Sequence, residues 1–142
     1  MTMTEKYKIL AEFVKDISGE TPDIETYLFV KDNLDKYHMN ISINSKAIKD
    51  KLIEVNTTLK LEDKTSNEKK SYFEVIYSTI VKITEDIDDK KVLEKIILCD
   101  VQNKVYPNMK GALLNLVHNS GYPTLKIEKQ IDFEELYKKQ MN

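Results

Sequence analysis

Four stretches of the sequence have the apolar pattern of β-strands. Residues 7–18 are rich in apolar side chains and end at a cluster of turn residues, Ser18–Pro22. Apolar residues occur on both faces of this first stretch, which predicts either burial on both sides or a β-bulge. In 38–44 and 53–62, apolar and polar residues alternate one by one, as in half-buried strands. The fourth stretch, 72–83, is β-branched and aromatic for most of its length.

The fourth stretch is apolar on both of its faces. One face carries Phe73, Val75 and the alternate residues that follow, which predicts contact with a core. The other face includes Ile76 and Ile80 and is unusually apolar for a solvated surface. We therefore expect a partner to cover part of this second face.

Between the first two strands, residues 22–37 show little periodicity although they contain several large apolar side chains. This pattern predicts an irregular segment that crosses from one strand to the next. The polar residues 63–69 predict a turn between the third and fourth strands.

The period of the apolar residues changes to that of a helix after Asp89. The residues at helical spacing are Val92, Ile96, Cys99, Val105, Met109, Ala112, Leu113, Leu116 and Val117. Pro107 lies within this region and removes one helical hydrogen bond, which predicts a break or kink. The helix is expected to end at 119–121, where Asn, Ser and Gly follow one another.

A short last helix is predicted to begin at Asp132. Asp132 is a favourable N-cap, Glu135 completes a capping box, and Ile131 can contact Leu136 as a hydrophobic staple. Strands followed by helices predict an α+β fold, in which a four-stranded antiparallel sheet packs on a long helix with a short C-terminal helix. We expect one domain over residues 1–142.

Composition narrows the possible functions. Apolar residues make up 41% of the 142 residues and charged residues 32%, a balance typical of globular proteins. The net charge is −2, and all 22 basic residues are lysine, so we expect no nucleic-acid binding. No apolar run reaches the ~20 residues that a membrane-spanning helix needs, and Met1–Lys6 does not resemble a signal peptide. We expect a cytoplasmic protein without membrane insertion.

The sequence contains no convincing catalytic or metal-binding pattern. Cys99 and His118 are a possible thiol and base, but they are far apart, and Cys99 has apolar helical neighbours. Neither His38 nor His118 has a second ligand at a spacing typical of zinc sites. We therefore expect no enzyme activity, metal or cofactor. An enzyme on this scaffold remains an alternative that a closed pocket containing His118 or Cys99 would favour.

Three segments of the chain resemble the SecB family of bacterial protein-export chaperones. Phe13–Pro22 is similar to the family's opening-strand pattern, Tyr-x-Lys-Asp-hydrophobic-Ser-x-Glu-x-Pro. Val101–Lys110 aligns without gaps with the long-helix signature, although Gln102 replaces its first proline. Ile131–Tyr137 resembles the closing helix. These blocks occur in the family's order and span roughly residues 9–140.

The resemblance implies a homotetramer, a dimer of dimers, that holds unfolded precursor proteins in the cytoplasm and passes them to the SecA motor. It implies neither ATP hydrolysis nor a cofactor. These 142 residues do not include the acidic C-terminal tail of many family members. This difference keeps open an alternative, a SecB-like chaperone dedicated to one client such as a toxin–antitoxin partner.

The resemblance also implies three sets of functional residues. The expected client-binding residues are Tyr27, Phe29, Phe133 and Tyr137. The expected SecA-binding residues are Asp16, Glu20, Tyr72 and Glu74. The expected oligomer interface consists of Phe73, Val75, Ile76 and Ile80.

Overall fold

The computed structural model describes residues 6–64, 70–123 and 131–141. The predicted turn at 63–69 therefore lies mostly outside the described residues. The strands are β1 (Tyr7–Glu20), β2 (His38–Lys49), β3 (Leu52–Glu62) and β4 (Tyr72–Ile83). The helices are α1 (Ile24–Asp32), α2 (Lys90–Lys95), α3 (Val101–Asn119) and α4 (Phe133–Met141), and a π-helical turn (Ile96–Asp100) joins α2 to α3. The α+β prediction, with an antiparallel sheet and a long helix, is confirmed.

The strand order in the sheet is β1-β4-β3-β2, so β1 and β2 form its two edges. All three neighbouring pairs are antiparallel. The pairing of β1 with β4 shifts twice, between Ile9 and Ala11 and between Val14 and Asp16. These shifts confirm the predicted bulge. Burial of β1 on both faces is not observed, because nearly all of its side chains are exposed.

One face of the sheet packs on the long helix and forms the core. Val55, Leu59, Phe73 and Val75 point to this side and are fully buried. The helix residues that are buried against the sheet recur every four positions, which places them on one side of α3. They are Val101, Val105, Met109, Leu113 and Val117.

The long helix continues through Pro107, so the predicted break there is wrong. Pro107 lacks the N–H that would bond the carbonyl of Asn103, but both residues are exposed and water can satisfy that carbonyl. The irregular turn lies earlier, at Ile96–Asp100. There the buried Gln102 donates from Nε2 to the carbonyl of Ile97 at 3.4 Å. Its Oε1 accepts a hydrogen bond from the hydroxyl of Thr57 in β3 at 2.9 Å.

The segment predicted to be irregular contains α1, so that prediction is wrong. Asp23 caps this helix, because its carboxylate accepts a hydrogen bond from the backbone N–H of Thr26 at 2.8 Å. Apolar residues occur on several sides of α1: Val30 is buried, whereas Ile24 and Leu28 are exposed. A helix without a clear apolar stripe shows little periodicity in its sequence, which explains why the pattern did not predict it.

Three hydroxyl groups join the ends of β1, β4 and α3. The side chains of Thr21, Ser71 and Tyr122 lie within 2.7–3.0 Å of one another. The hydroxyl of Tyr27 in α1 donates to the carbonyl of Gly121 at 2.7 Å, and its ring stacks on Tyr122 at 5.0 Å. Gly121 has a φ of +95°, which favours glycine. These contacts fix α1 against the end of the long helix.

Candidate functional site

A groove of about 470 Å³ runs along the β2 edge of the sheet, between β2 and α4. Three consecutive residues of β2 line it, Met39, Asn40 and Ile41. Because successive side chains of a strand point to opposite faces, a groove that touches all three follows the open edge of that strand. The residues of the opposite wall are Ile131, Asp132, Glu135, Leu136 and Lys139.

The two sides of α4 have different roles in shaping this groove. Asp132 begins the helix as predicted, since its carboxylate accepts a hydrogen bond from the N–H of Glu135 at 3.2 Å. Phe133 packs edge-to-face on Tyr106 of α3, with ring centroids 5.5 Å apart. Leu136 points to the groove, where Ile131 also lies. Because Phe133 anchors one side of α4 on α3, the side of α4 that carries Leu136 faces the β2 edge of the sheet.

None of the four predicted client-binding residues is among those that line this groove. Phe133 is only 2% exposed and serves as a core residue that holds α4 in place. Tyr137 is partly exposed, and its hydroxyl donates to the carbonyl of Lys91 at 3.3 Å. Tyr27 and Phe29 are partly buried in α1. Their role in client binding stays a prediction.

The groove-lining residues were visible in the sequence only as structural features. Met39 and Ile41 were the inward positions of an alternating strand, and Ile131 and Leu136 were a candidate staple. Both pairs are now neighbours across the groove. These positions become a candidate binding site because β2 is an edge strand, which the sequence pattern does not reveal.

The four predicted SecA-binding residues lie together at one end of the sheet face that points away from α3, called here the outer face. In the pairing of β1 with β4, Glu20 is opposite Tyr72, and Asp16 is opposite Ile76. The hydroxyl of Tyr72 donates to the side chain of Ser18 at 3.2 Å. Glu74 lies 3.8 Å from the ammonium group of Lys60, a surface ion pair of low energy.

The predicted interface residues divide between the two faces of β4. Phe73 and Val75 are completely buried against the long helix, so they have no exposed side-chain surface to offer another subunit in this fold. Ile76 and Ile80 lie on the outer face and are partly exposed. Because Ile76 is directly opposite Asp16, the predicted docking and interface residues share one surface.

Apolar side chains are exposed along the edge strand β1. They are Leu10, Phe13, Val14 and Ile17, each between 41% and 49% exposed. On the side of β1 that faces α3, Glu12 accepts hydrogen bonds from the Tyr77 hydroxyl at 2.6 Å and from Asn108 at 2.8 Å. Burial, together with the Glu12 carboxylate, raises the pKa of Tyr77 to about 12, so its hydroxyl stays protonated.

The structure does not bring the candidate thiol and base together. Cys99 is fully buried in the π-helical turn, and His118 is exposed near the end of α3, roughly 28 Å further along the helix axis. Burial raises the pKa of the Cys99 thiol, which disfavours the nucleophilic thiolate.

Within residues 6–64, 70–123 and 131–141, no three potential metal-ligating side chains form a cluster. Across the same ranges, no helix is long and apolar enough to span a membrane.

The fold is shared with a SecB-like chaperone of Mycobacterium tuberculosis, whose structure was solved in complex with a ChAD peptide from an antitoxin. The TM-score is 0.60 at 10% sequence identity, over 88% of this chain and 91% of that one. The fold of the chain is thus SecB-like. The family model "Preprotein translocase subunit SecB" matches residues 2–142, so the chain belongs to the SecB family, a family of chaperones.

Sequence relatives agree with this assignment. A putative protein-export protein SecB of Pelagibacter ubique is 56% identical over 99% of this chain and 100% of its own length. The protein-export protein SecB of Bartonella quintana is 24% identical over 95% of this chain and 84% of its own. The resemblance inferred from the three sequence blocks is therefore confirmed.

Proposed function

We propose that this protein is an ATP-independent holdase that binds unfolded precursor proteins in the cytoplasm and delivers them to SecA. Membership of the SecB family and the protein-export names of its relatives support the general role. The observation that carries the proposal is the groove that combines apolar side chains with the open edge of β2. Extended polypeptides bind such edges through main-chain hydrogen bonds and place alternate side chains in the groove.

Weak binding at each groove suits this role. Burying roughly 600 Å² of apolar client surface provides about 15 kcal/mol of gross free energy at ~25 cal/mol per Å². Ordering the client and losing its freedom of motion consume most of that amount. Several grooves on one oligomer restore the overall affinity through effective concentration. A client held by many weak contacts can be released to a motor without ATP hydrolysis by the chaperone.

The substitution Leu136→Asp tests the groove. A carboxylate among Met39, Ile41 and Ile131 loses hydration when a client covers it, so we expect roughly tenfold weaker client binding. The measurement is the concentration of protein that halves aggregation of a chemically unfolded client. Ile48→Asp is the matched control, because Ile48 is an exposed apolar residue of β2 that does not line the groove.

Equal protection by both variants would contradict the assignment of the groove.

A pull-down from cell extract separates an export chaperone from a chaperone dedicated to one client. Many precursors together with SecA support the export role, whereas one stoichiometric client supports the dedicated chaperone.

We further propose that the chain forms a homotetramer and that β1, rather than the outer face, supplies subunit contacts. β1 is a 14-residue edge strand with exposed apolar side chains, features that favour pairing with another subunit. The outer face, with Asp16, Glu20, Tyr72 and Glu74, then stays accessible to SecA. In this proposal Ile76, which is directly opposite Asp16, belongs to the docking surface.

Two substitutions separate assembly from docking. Ile17→Asp places a charge among the exposed apolar residues of β1, and we expect it to lower the mass of the assembly in solution. Glu74→Lys should leave that mass unchanged and weaken SecA binding about tenfold, since it reverses one charge of an acidic surface. Light scattering and SecA titration measure the two effects. A mass that falls for Glu74→Lys and not for Ile17→Asp would return the interface to the outer face.

A further inference from the structure

We propose that the end of the outer face opposite the acidic residues docks on an anionic membrane surface through four lysines, Lys8, Lys82, Lys46 and Lys49. The proposed client-binding groove and the residues Asp16, Glu20, Tyr72 and Glu74 proposed to bind SecA do not lie at this end of the sheet. The ligand is the layer of anionic lipid headgroups, engaged without insertion of a spanning segment.

The register of the sheet places the four lysines on one surface. Lys8 of β1 is directly opposite Lys82 of β4, and Lys82 is opposite Leu52 of β3. Leu52 is in turn opposite Lys49 of β2, so this row crosses the whole sheet. Lys46 lies in the next row, opposite Glu54. Since opposed residues share a face, all four lysines belong to the outer face.

These lysines are exposed and have no ion pair among the described residues. The ion pairs near this end are Lys15 with Glu54 and Lys51 with Asp86. Glu54 and Asp86 are therefore already paired with other lysines, although Lys46 adds to Lys15 in lowering the pKa of Glu54. Glu85 and Asp88 also lie near this end, where they line a hollow together with Lys49, and Asp50 is next to Lys49 in the chain. Like charges directly opposite one another, as in Lys8 and Lys82, oppose sheet stability. The pairing of Lys8 with Lys82 therefore does not serve the stability of the sheet. Anionic groups of a partner would neutralise the two charges.

The distance over which the four lysines are spread favours a membrane surface over an acidic peptide as their partner. Four strands about 4.8 Å apart place Lys8 and Lys49 about 14 Å from each other across the sheet. A single acidic strand or helix would follow one row or one strand and leave other lysines without a partner. A bilayer surface presents anionic groups over the whole width. The next row adds the partly exposed Ile80, which can contact the headgroup region.

The two ends of the outer face then have different partners. Asp16, Glu20 and Glu74 lie at the far end of the same strands and would be repelled by an anionic surface. The protein is therefore expected to approach the membrane with its lysine end and to keep its acidic end away from the lipid. The acidic end would stay available while the lysine end is bound.

Co-sedimentation of the full chain with vesicles tests the proposal. We expect the protein to bind vesicles of phosphatidylglycerol mixed with phosphatidylcholine, and not vesicles of phosphatidylcholine alone. Each lysine near an anionic surface contributes about 1 kcal/mol, so the double substitution Lys8→Glu/Lys82→Glu should weaken binding roughly tenfold or more. Added salt should release the protein.

A matched control is Lys31→Glu/Lys138→Glu, which makes the same change in net charge on exposed residues of α1 and α4. This variant should bind anionic vesicles nearly as well as the unaltered protein. Lys8→Gln/Lys82→Gln removes the positive charges without opposing two glutamates, and it provides the measurement if the Glu variant does not fold. Circular dichroism checks folding.

Three outcomes would overturn the proposal. The first is that the unaltered protein does not bind anionic vesicles. The second is an equal loss of binding in the control variant, which would mean that net charge and not this surface matters. The third is binding of soluble polyglutamate in the absence of vesicle binding, which would assign the lysines to an acidic polypeptide.

Discussion

Replacing Phe73 with alanine is expected to lower the free energy of unfolding by about 3–5 kcal/mol. The ring is completely buried and packs edge-to-face on Tyr122, with centroids 5.7 Å apart, and against Tyr37 at 6.3 Å. Alanine would leave a cavity between the sheet, the hydroxyl cluster and the end of the long helix. Urea unfolding followed by circular dichroism measures the change.

The neighbouring aromatic residue is the matched control for Phe73. Tyr72 is 39% exposed on the outer face, so Tyr72→Ala should cost less than about 1 kcal/mol. Comparing Phe73→Ala with Tyr72→Ala also decides whether Phe73 is a core residue or an interface residue. If Phe73→Ala kept its unfolding free energy but formed smaller assemblies, the interface role inferred from the sequence would hold and the core role would be wrong.

Replacing Gln102 with alanine is expected to cost about 3 kcal/mol, because it leaves two buried polar groups without partners. Gln102 accepts from Thr57 in β3 and donates to the carbonyl of Ile97 in the π-helical turn. The carbonyl of Ile97 and the hydroxyl of Thr57 would both be unpaired, and a cavity would add to the loss. Urea unfolding measures the effect.

Thr57→Val provides the control for Gln102. It removes only the hydroxyl and keeps the shape of the side chain, so it should cost less than Gln102→Ala. A double-mutant cycle of the two substitutions should yield a coupling free energy of about 1 kcal/mol. A coupling near zero would mean that the hydrogen bond between the two side chains does not contribute to stability.

The sequence pattern predicts β3 and β4 well because alternation is a local signal, whereas β2 extends five residues beyond the predicted 38–44. Residues 72–83 match β4 at both ends, and 53–62 differ from β3 by one residue. The sequence pattern does not predict α1, since the apolar residues of this helix occur on several of its sides. Pro107 does not end the helix, because the carbonyl of Asn103, which it leaves without a helical partner, is exposed to water.

The candidate sites depended on facts that no local pattern contains. The docking residues came from the family resemblance, and the register of β1 with β4 brings them together. The groove required the strand order β1-β4-β3-β2, which makes β2 an edge and places it beside α4. The burial of Phe133 is equally nonlocal, because Tyr106 of the distant helix α3 packs against its ring.

The two bulges of β1 affect what can add to that edge. A long, regular apolar strand is a template on which further strands add without limit, as in fibrils. Each register shift, at Ile9–Ala11 and at Val14–Asp16, interrupts the even spacing of the backbone amides and increases the local twist. β1 is thus a poor seed for cross-β growth. A chaperone with such an edge strand is in this way less prone to co-aggregate with its clients.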